Sequence, residues 1–164
     1  MIQKTWPITE NLILNALQLT ERLYQLLIEE ADTLQKPLQA ELIDSIATDK
    51  KQLVMQLEEF NQQCGQVLAT EALPNTHEGI NTYFQRATAS GLSAIETTEQ
   101  WISIQSLCVK CKALNEHNGA SIELLSFHTQ RSLQILKGNP QRSNTYGANG
   151  ARKNDPFTHT LMTV

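Results

Sequence analysis

From Thr9 onward, apolar residues recur at alternating steps of four and three: Leu12, Ala16, Leu19, Leu23 and Leu26 form one row. Ile13, Leu17, Tyr24, Leu27, Ala31 and Leu34 form a second row beside it, and the two predict a long helix with a wide apolar face. Glu10 falls in its expected first turn, where the helix dipole favours an anion. Lys36 before Pro37 marks its expected end, because the residue preceding proline is driven out of the helical region. A second helix follows on the same register through Ile43, Ile46, Leu53, Leu57, Phe60, Cys64 and Val67, with Lys50 as the one polar intruder. Such a seam suits supercoiled packing between helices crossing at about 20°. Cys64 lies on that seam and reads as a small buried hydrophobe rather than a reactive thiol.

The periodicity stops at Leu73, Pro74 and Asn75. Asn75 and Glu78 have capping-box spacing and predict a short helix whose face carries Ile80, Tyr83, Phe84 and Ala87 and whose end is Ser90 and Gly91. Ser93 and Glu96 repeat the capping spacing and open the longest run of the chain. It closes at Lys137, Gly138, Asn139 and Pro140, the order of a basic last turn, a glycine cap and a proline stop. A helix from Ala94 to Lys137 is roughly 65 Å long and needs long partners. The five prolines (7, 37, 74, 140 and 156) leave long uninterrupted intervals, which suit helices and disfavour a β-sandwich, since that fold needs turn signals every 8–12 residues. The expected fold is all-α: an elongated antiparallel bundle of three long helices plus one short helix. Residues 1–138 form that domain. Residues 139–164, rich in Asn, Gly, Ser, Thr and Arg, are expected to be a flexible tail.

Charge is unevenly spread. The 164 residues carry −4 overall; residues 1–130 hold eight basic and sixteen acidic side chains, whereas 131–164 hold Arg131, Lys137, Arg142, Arg152 and Lys153 against Asp155. A nucleic-acid footprint, which needs a clustered basic surface, has no support. No secretory signal opens the chain and no stretch approaches the 18 apolar residues of a membrane span, so a soluble, cytoplasmic protein without membrane insertion is expected. Three cysteines without a pairing array fit a reducing compartment.

Reactive chemistry finds little footing. Cys108 and Cys111 form a Cys-x-x-Cys pair, but on continuous helix, with no second ligand pair and no βαβ pattern, packing explains them. His117 and His128 stand three helical turns apart, too far to share a metal ion. No nucleophile triad, phosphate loop or close carboxylate pair appears. No catalytic residue, cofactor or metal is assigned.

The more informative anomaly is Asn115, Asn118 and Gly119 within the long helix. Asn118 continues the row Leu107, Cys111, Leu114, and Gly119 costs about 1 kcal/mol relative to alanine. Three readings compete: a turn splitting the helix, a polar layer that fixes packing register with the glycine permitting close approach, or a partner-binding feature. Continuous periodicity from Leu107 to Leu125 argues against the turn. Beyond it the helix is apolar on two sides. Ile122, Leu125, Leu133 and Leu136 form one, and one side can join the bundle. Leu124, Phe127 and Ile135 form the other, flanked by Arg131 and left for a partner, the short helix or a second copy of the chain to cover.

Leu114-Asn115-Glu116-His117-Asn118-Gly119, followed by Ile122, the run Ser132 to Gly138 and then Tyr146-Gly147-Ala148-Asn149-Gly150, resembles the FlgN family of flagellar type III export chaperones. Trp101 is part of the same resemblance. It implies a helical bundle without enzymatic activity that binds the C-terminal segments of the hook–filament junction proteins FlgK and FlgL before export. The family's client-binding helix maps onto residues 120–138, which makes Ile122, Leu124, Leu125, Phe127, Arg131, Leu133, Ile135 and Leu136 the expected client contacts. By the same resemblance Tyr146 would dock the loaded chaperone on the cytoplasmic domain of the export gate FlhA. The alternative is a coiled-coil adaptor that forms a homo-oligomer through the same helices. Cys108 and Cys111, and the region from Pro74 to Ser93, lie outside the resemblance.

Overall fold

A computed structural model describes residues 1–37 and 39–136. Tyr146, the helix stop at 137–140 and the expected tail lie outside these residues. Within them the chain is all-α, with α1 (Ile2–Leu34), α2 (Ala40–Thr70), α3 (His77–Ala89) and α4 (Ile95–Leu136) and no strand. Contacts group Met1–Glu123 as one unit; in the other, from Leu124 onward, the described residues are the last turns of α4.

In the first unit α1 and α2 form an antiparallel hairpin, pinned at one end by Thr5 Oγ1 donating to Glu71 Oε1 (3.0 Å) and at the other by the Glu30–Lys50 ion pair. α4 runs antiparallel to α2 and parallel to α1, as an up–down–up order requires: Lys50 reaches Asn115, and Asn118 reaches Leu27 and Glu30. The apolar rows of α1 supply the core, with Ile13, Ala16, Leu26 and Leu27 buried. On α2 the seam residues Ile46 and Cys64 are buried, as is Leu68, which lies outside the expected seam. Burial pushes the Cys64 thiol up to about 11, which keeps it protonated and unreactive near neutral pH.

The structure corrects the expected start of α1. The helix begins at Ile2 and carries Pro7 inside it, so Glu10 is not in the first turn. A proline there removes one hydrogen bond and crowds the preceding turn, at about 3 kcal/mol. The burial of Ile2, Thr5 and Trp6 offsets that cost. Trp6 stacks on Tyr83 of α3 (centroids 5.9 Å apart) and meets Phe84 edge-on (6.1 Å). The Tyr83 hydroxyl donates to Thr5 Oγ1 (2.9 Å) and accepts from Thr9 Oγ1 (3.0 Å). This aromatic and hydroxyl cluster is how the short helix packs.

Two boundaries also shift. The cap of α3 is Thr76, whose hydroxyl accepts from Gly79 N (3.2 Å); Asn75 turns instead to Asn61 on α2. Glycine is required at position 79, because a Cβ there would collide with the Pro74 carbonyl oxygen. At its other end α3 closes as expected at Ser90 and Gly91, the glycine at φ +78° and Leu92 N donating to Ala87 O. α2 ends by the same motif without a glycine: Ala72 sits at φ 54°, while Leu73 N donates to Leu68 O and Ala72 N to Ala69 O. At the start of α4, Ala94 O accepts from Thr98 N, which leaves Ser93 one residue before the cap position.

Candidate functional site

The three residues singled out in the middle of the long helix have separate fates. α4 is continuous through them, which removes the turn reading. Asn118 is buried, and its Nδ2 donates to Leu27 O (2.9 Å) and to Glu30 Oε2 (2.9 Å). Glu30 is only 1% exposed and is paired with Lys50, whose Nζ lies 2.7 Å from Oε1 and 2.8 Å from Oε2. Asn115, on the surface, lies 3.5 Å from the same ammonium through its Oδ1. A carboxylate, an ammonium and an amide from three helices thus meet in one buried layer. A charged group so deeply buried is tolerated only with this pairing, and each partner fixes the axial position of its helix. Among the described residues Asn118 Oδ1 has no hydrogen-bond partner. Gly119, by contrast, is exposed, and a Cβ on it would meet nothing within 4 Å. The expected close approach at this glycine is therefore absent: it faces away from the neighbouring helices.

Beside the layer, α1, α2 and α4 line an open groove of roughly 600 Å³, with Leu23, Leu27 and Cys111 on its walls and Lys51, Val54 and Met55 at its mouth. Cys111 is buried and Cys108 exposed. Burial, and secondarily the neighbouring Cys108, push the Cys111 thiol up, the direction opposite to that of a reactive thiolate. Among the described residues no three His, Cys, Asp or Glu side chains gather as a metal site, and no helix is long and apolar enough to cross a membrane.

The expected client contacts lie at the end of α4. Ile122, Leu124, Leu125, Phe127, Leu133, Ile135 and Leu136 are all exposed, from 40% at Ile122 to 82% at Leu136. Phe127, Gln130, Arg131 and Gln134, one turn apart in pairs, border a shallow depression of roughly 200 Å³. Phe127 also packs edge-on against His128, with centroids 5.9 Å apart. Ile122, Leu125, Leu133 and Leu136, on the side that could have joined the bundle, are exposed as well as Leu124, Phe127 and Ile135. Among the described residues the result is a stretch of helix with exposed apolar side chains on more than one side, the kind of surface that marks a partner site.

The buried polar layer was only half visible in the sequence. Lys50 and Asn118 stood out as polar residues on apolar rows. Glu30 passed unnoticed, although it continues the row Leu23, Leu26 by a step of four, with Thr33 three residues further on. A polar residue at the next core position was the available signal.

The family model described as FlgN protein matches residues 9–154. No curated protein and no solved structure matches the chain.

Proposed function

The chain belongs to the FlgN family of flagellar export chaperones, and from that premise we propose that residues 122–136 are its client-binding element. The observation that supports this reading is the exposure of seven large apolar side chains within fifteen residues of helix. Fully burying such a side chain contributes about 1.5–3 kcal/mol. Half-exposed ones contribute about 1 kcal/mol each, so a client covering all seven gains on the order of 7 kcal/mol before the costs of association and ordering are subtracted. The clients on this reading are the C-terminal segments of the hook–filament junction proteins FlgK and FlgL. Bound as apolar segments along the helix, they are kept from assembling prematurely in the cytoplasm. Arg131, beside Phe127, supplies a cation for a client carboxylate. Tyr146 would then dock the loaded chaperone on the cytoplasmic domain of FlhA. The protein acts by binding, with no catalytic step.

Titration with peptides from the client C-termini tests the proposal. Micromolar or tighter binding, with slowed hydrogen exchange confined to residues 120–138, supports it; unchanged exchange at saturating client overturns it. Tyr146→Ala is expected to leave client affinity within about twofold while reducing retention on the FlhA cytoplasmic domain.

A further inference from the structure

The face of the bundle on which α3 begins continues beyond it. Asn75, just ahead of α3, donates to Asn61 O on α2 (3.4 Å), and His77 Nδ1 lies 2.6 Å from Gln105 Nε2 on α4. Steps of seven carry that face onward, from Asn61 to Val54 and Ala47 on α2 and from Gln105 to Lys112 on α4. Val54, Ala47 and Lys112 all line the open groove of roughly 600 Å³ beside the polar layer, to which α1 contributes Leu23 and Leu27. From Ala47 to Glu58 the groove is about 17 Å long, or about three turns of helix. Val54 and Met55, on its rim, are 44% and 59% exposed. The apolar side chains of α3 thus cover one half of the bundle, and the other half offers the same walls to something else.

Charge decides what fits there. Residues 1–130 hold eight basic side chains against sixteen acidic ones, yet three of the eight, Lys50, Lys51 and Lys112, line this groove. Lys50 is answered by Glu30. Lys51 on α2 and Lys112 on α4 are exposed on opposite walls, and among the described residues neither has a carboxylate within ion-pair distance. Glu58, the one acidic residue among the described lining, stands two turns from Lys51, about 10 Å along α2. A segment lying in the groove therefore meets cations at one end and an anion at the other. Because the helix dipole favours carboxylates in a first turn and cations in a last, the matching helix begins between Lys51 and Lys112 and ends near Glu58, parallel to α2.

We propose that this groove docks an amphipathic helix of a partner protein, apolar on one face, acidic in its first turn and basic about two turns later. Its apolar side chains cover Leu23, Val54 and Met55, and its carboxylates sit between Lys51 and Lys112. The client contacts at 122–136 take no part in it. The probe is a synthetic helix of that pattern, about 15 residues long, titrated into the full chain by fluorescence anisotropy. Saturable binding with Kd of roughly 100 µM or tighter is expected of so small a contact, with hydrogen exchange slowed at residues 47–58 and 111–115. Lys51→Glu/Lys112→Glu should weaken binding about tenfold or more with the helical circular dichroism and melting temperature retained. A probe carrying lysine in place of its glutamates should bind that variant and not the parent. Met55→Asp should also weaken the original probe, and Phe127→Ala should leave it unaffected. No binding up to about 1 mM overturns the proposal. So does binding indifferent to the double lysine reversal, or binding lost in Phe127→Ala, which assigns the probe to the end of α4. Equal binding of a probe with its charged turns exchanged overturns the parallel orientation. A chain that ignores the probe but sediments with anionic lipid vesicles through Lys51 and Lys112 assigns the groove to a lipid surface, and the proposal falls.

Discussion

Two stretches of one helix, Ile95–Asn118 and Ile122–Leu136, are built from the same kinds of residue and meet different fates. In the first, the seven-residue row Thr97, Ile104, Cys111, Asn118 is buried throughout. The next member of that row is Leu125, more apolar than Thr97 or Asn118, and it is 46% exposed. Periodicity fixes which residues share a face, but not whether anything covers that face. In the first stretch even an asparagine, with the glutamate it contacts, is taken out of water; among the described residues of the second, leucine and phenylalanine stay in it. An apolar residue on a core row without a neighbour is therefore a better guide to function than a polar residue inside the bundle.

The largest expected effect falls on the buried side of this comparison. Lys50→Met leaves the Glu30 carboxylate buried with only the Asn118 amide as partner, and breaking a buried pair in this way costs about 3–5 kcal/mol. Urea denaturation followed by circular dichroism measures it. The double variant Glu30→Met/Lys50→Met removes the uncompensated charge and is expected to recover most of the loss. A Lys50→Met protein as stable as the parent would show that the layer contributes little to the fold.

On the exposed side, the order of effects reverses. Phe127→Ala is expected to change unfolding free energy by less than about 0.5 kcal/mol, as for surface positions in general. It should also weaken client-peptide binding roughly 10- to 100-fold, the equivalent of about 1.5–3 kcal/mol. Calorimetric titration and urea denaturation on the same preparation check both halves. A variant that loses stability instead of affinity would place Phe127 in a folded core and erase the contrast between the two stretches.

What the sequence made legible follows the same division. The helical faces, the short helix with Tyr83, Phe84 and Ala87, the Gly91 cap and the apolar end of α4 all follow from local rules, because each depends on residues within a few turns. The first seven residues were lost to a local rule that tertiary packing overrode. Pro7 argues against a helix on its own account, and only contact with Tyr83 and Phe84, over seventy residues away, makes the turns before it worth forming. The end of α2 was hidden for a related reason: Ala72 adopts a conformation that glycine usually signals. The exposure of Leu125, Leu133 and Leu136 could not be read locally either, since periodicity groups residues on a face without saying whether that face is covered.

Gly119 lies between the two stretches and gives the smallest test. Its packing explanation is gone, since a methyl group there meets open space. Alanine should then stabilise the protein by about 1 kcal/mol, the difference in helix propensity between the two residues. In an exposed helix interior nothing else opposes that gain. Hydrogen exchange at residues 116–123 should slow to match, because local opening of α4 there becomes costlier. Client affinity is the discriminating measurement. If Gly119→Ala binds client peptide as the parent does, the glycine is a tolerated weakness between a buried and an exposed stretch. If it stabilises the helix yet weakens binding severalfold, the backbone must open near Gly119 when client arrives, and the boundary between the two stretches is itself part of the binding site.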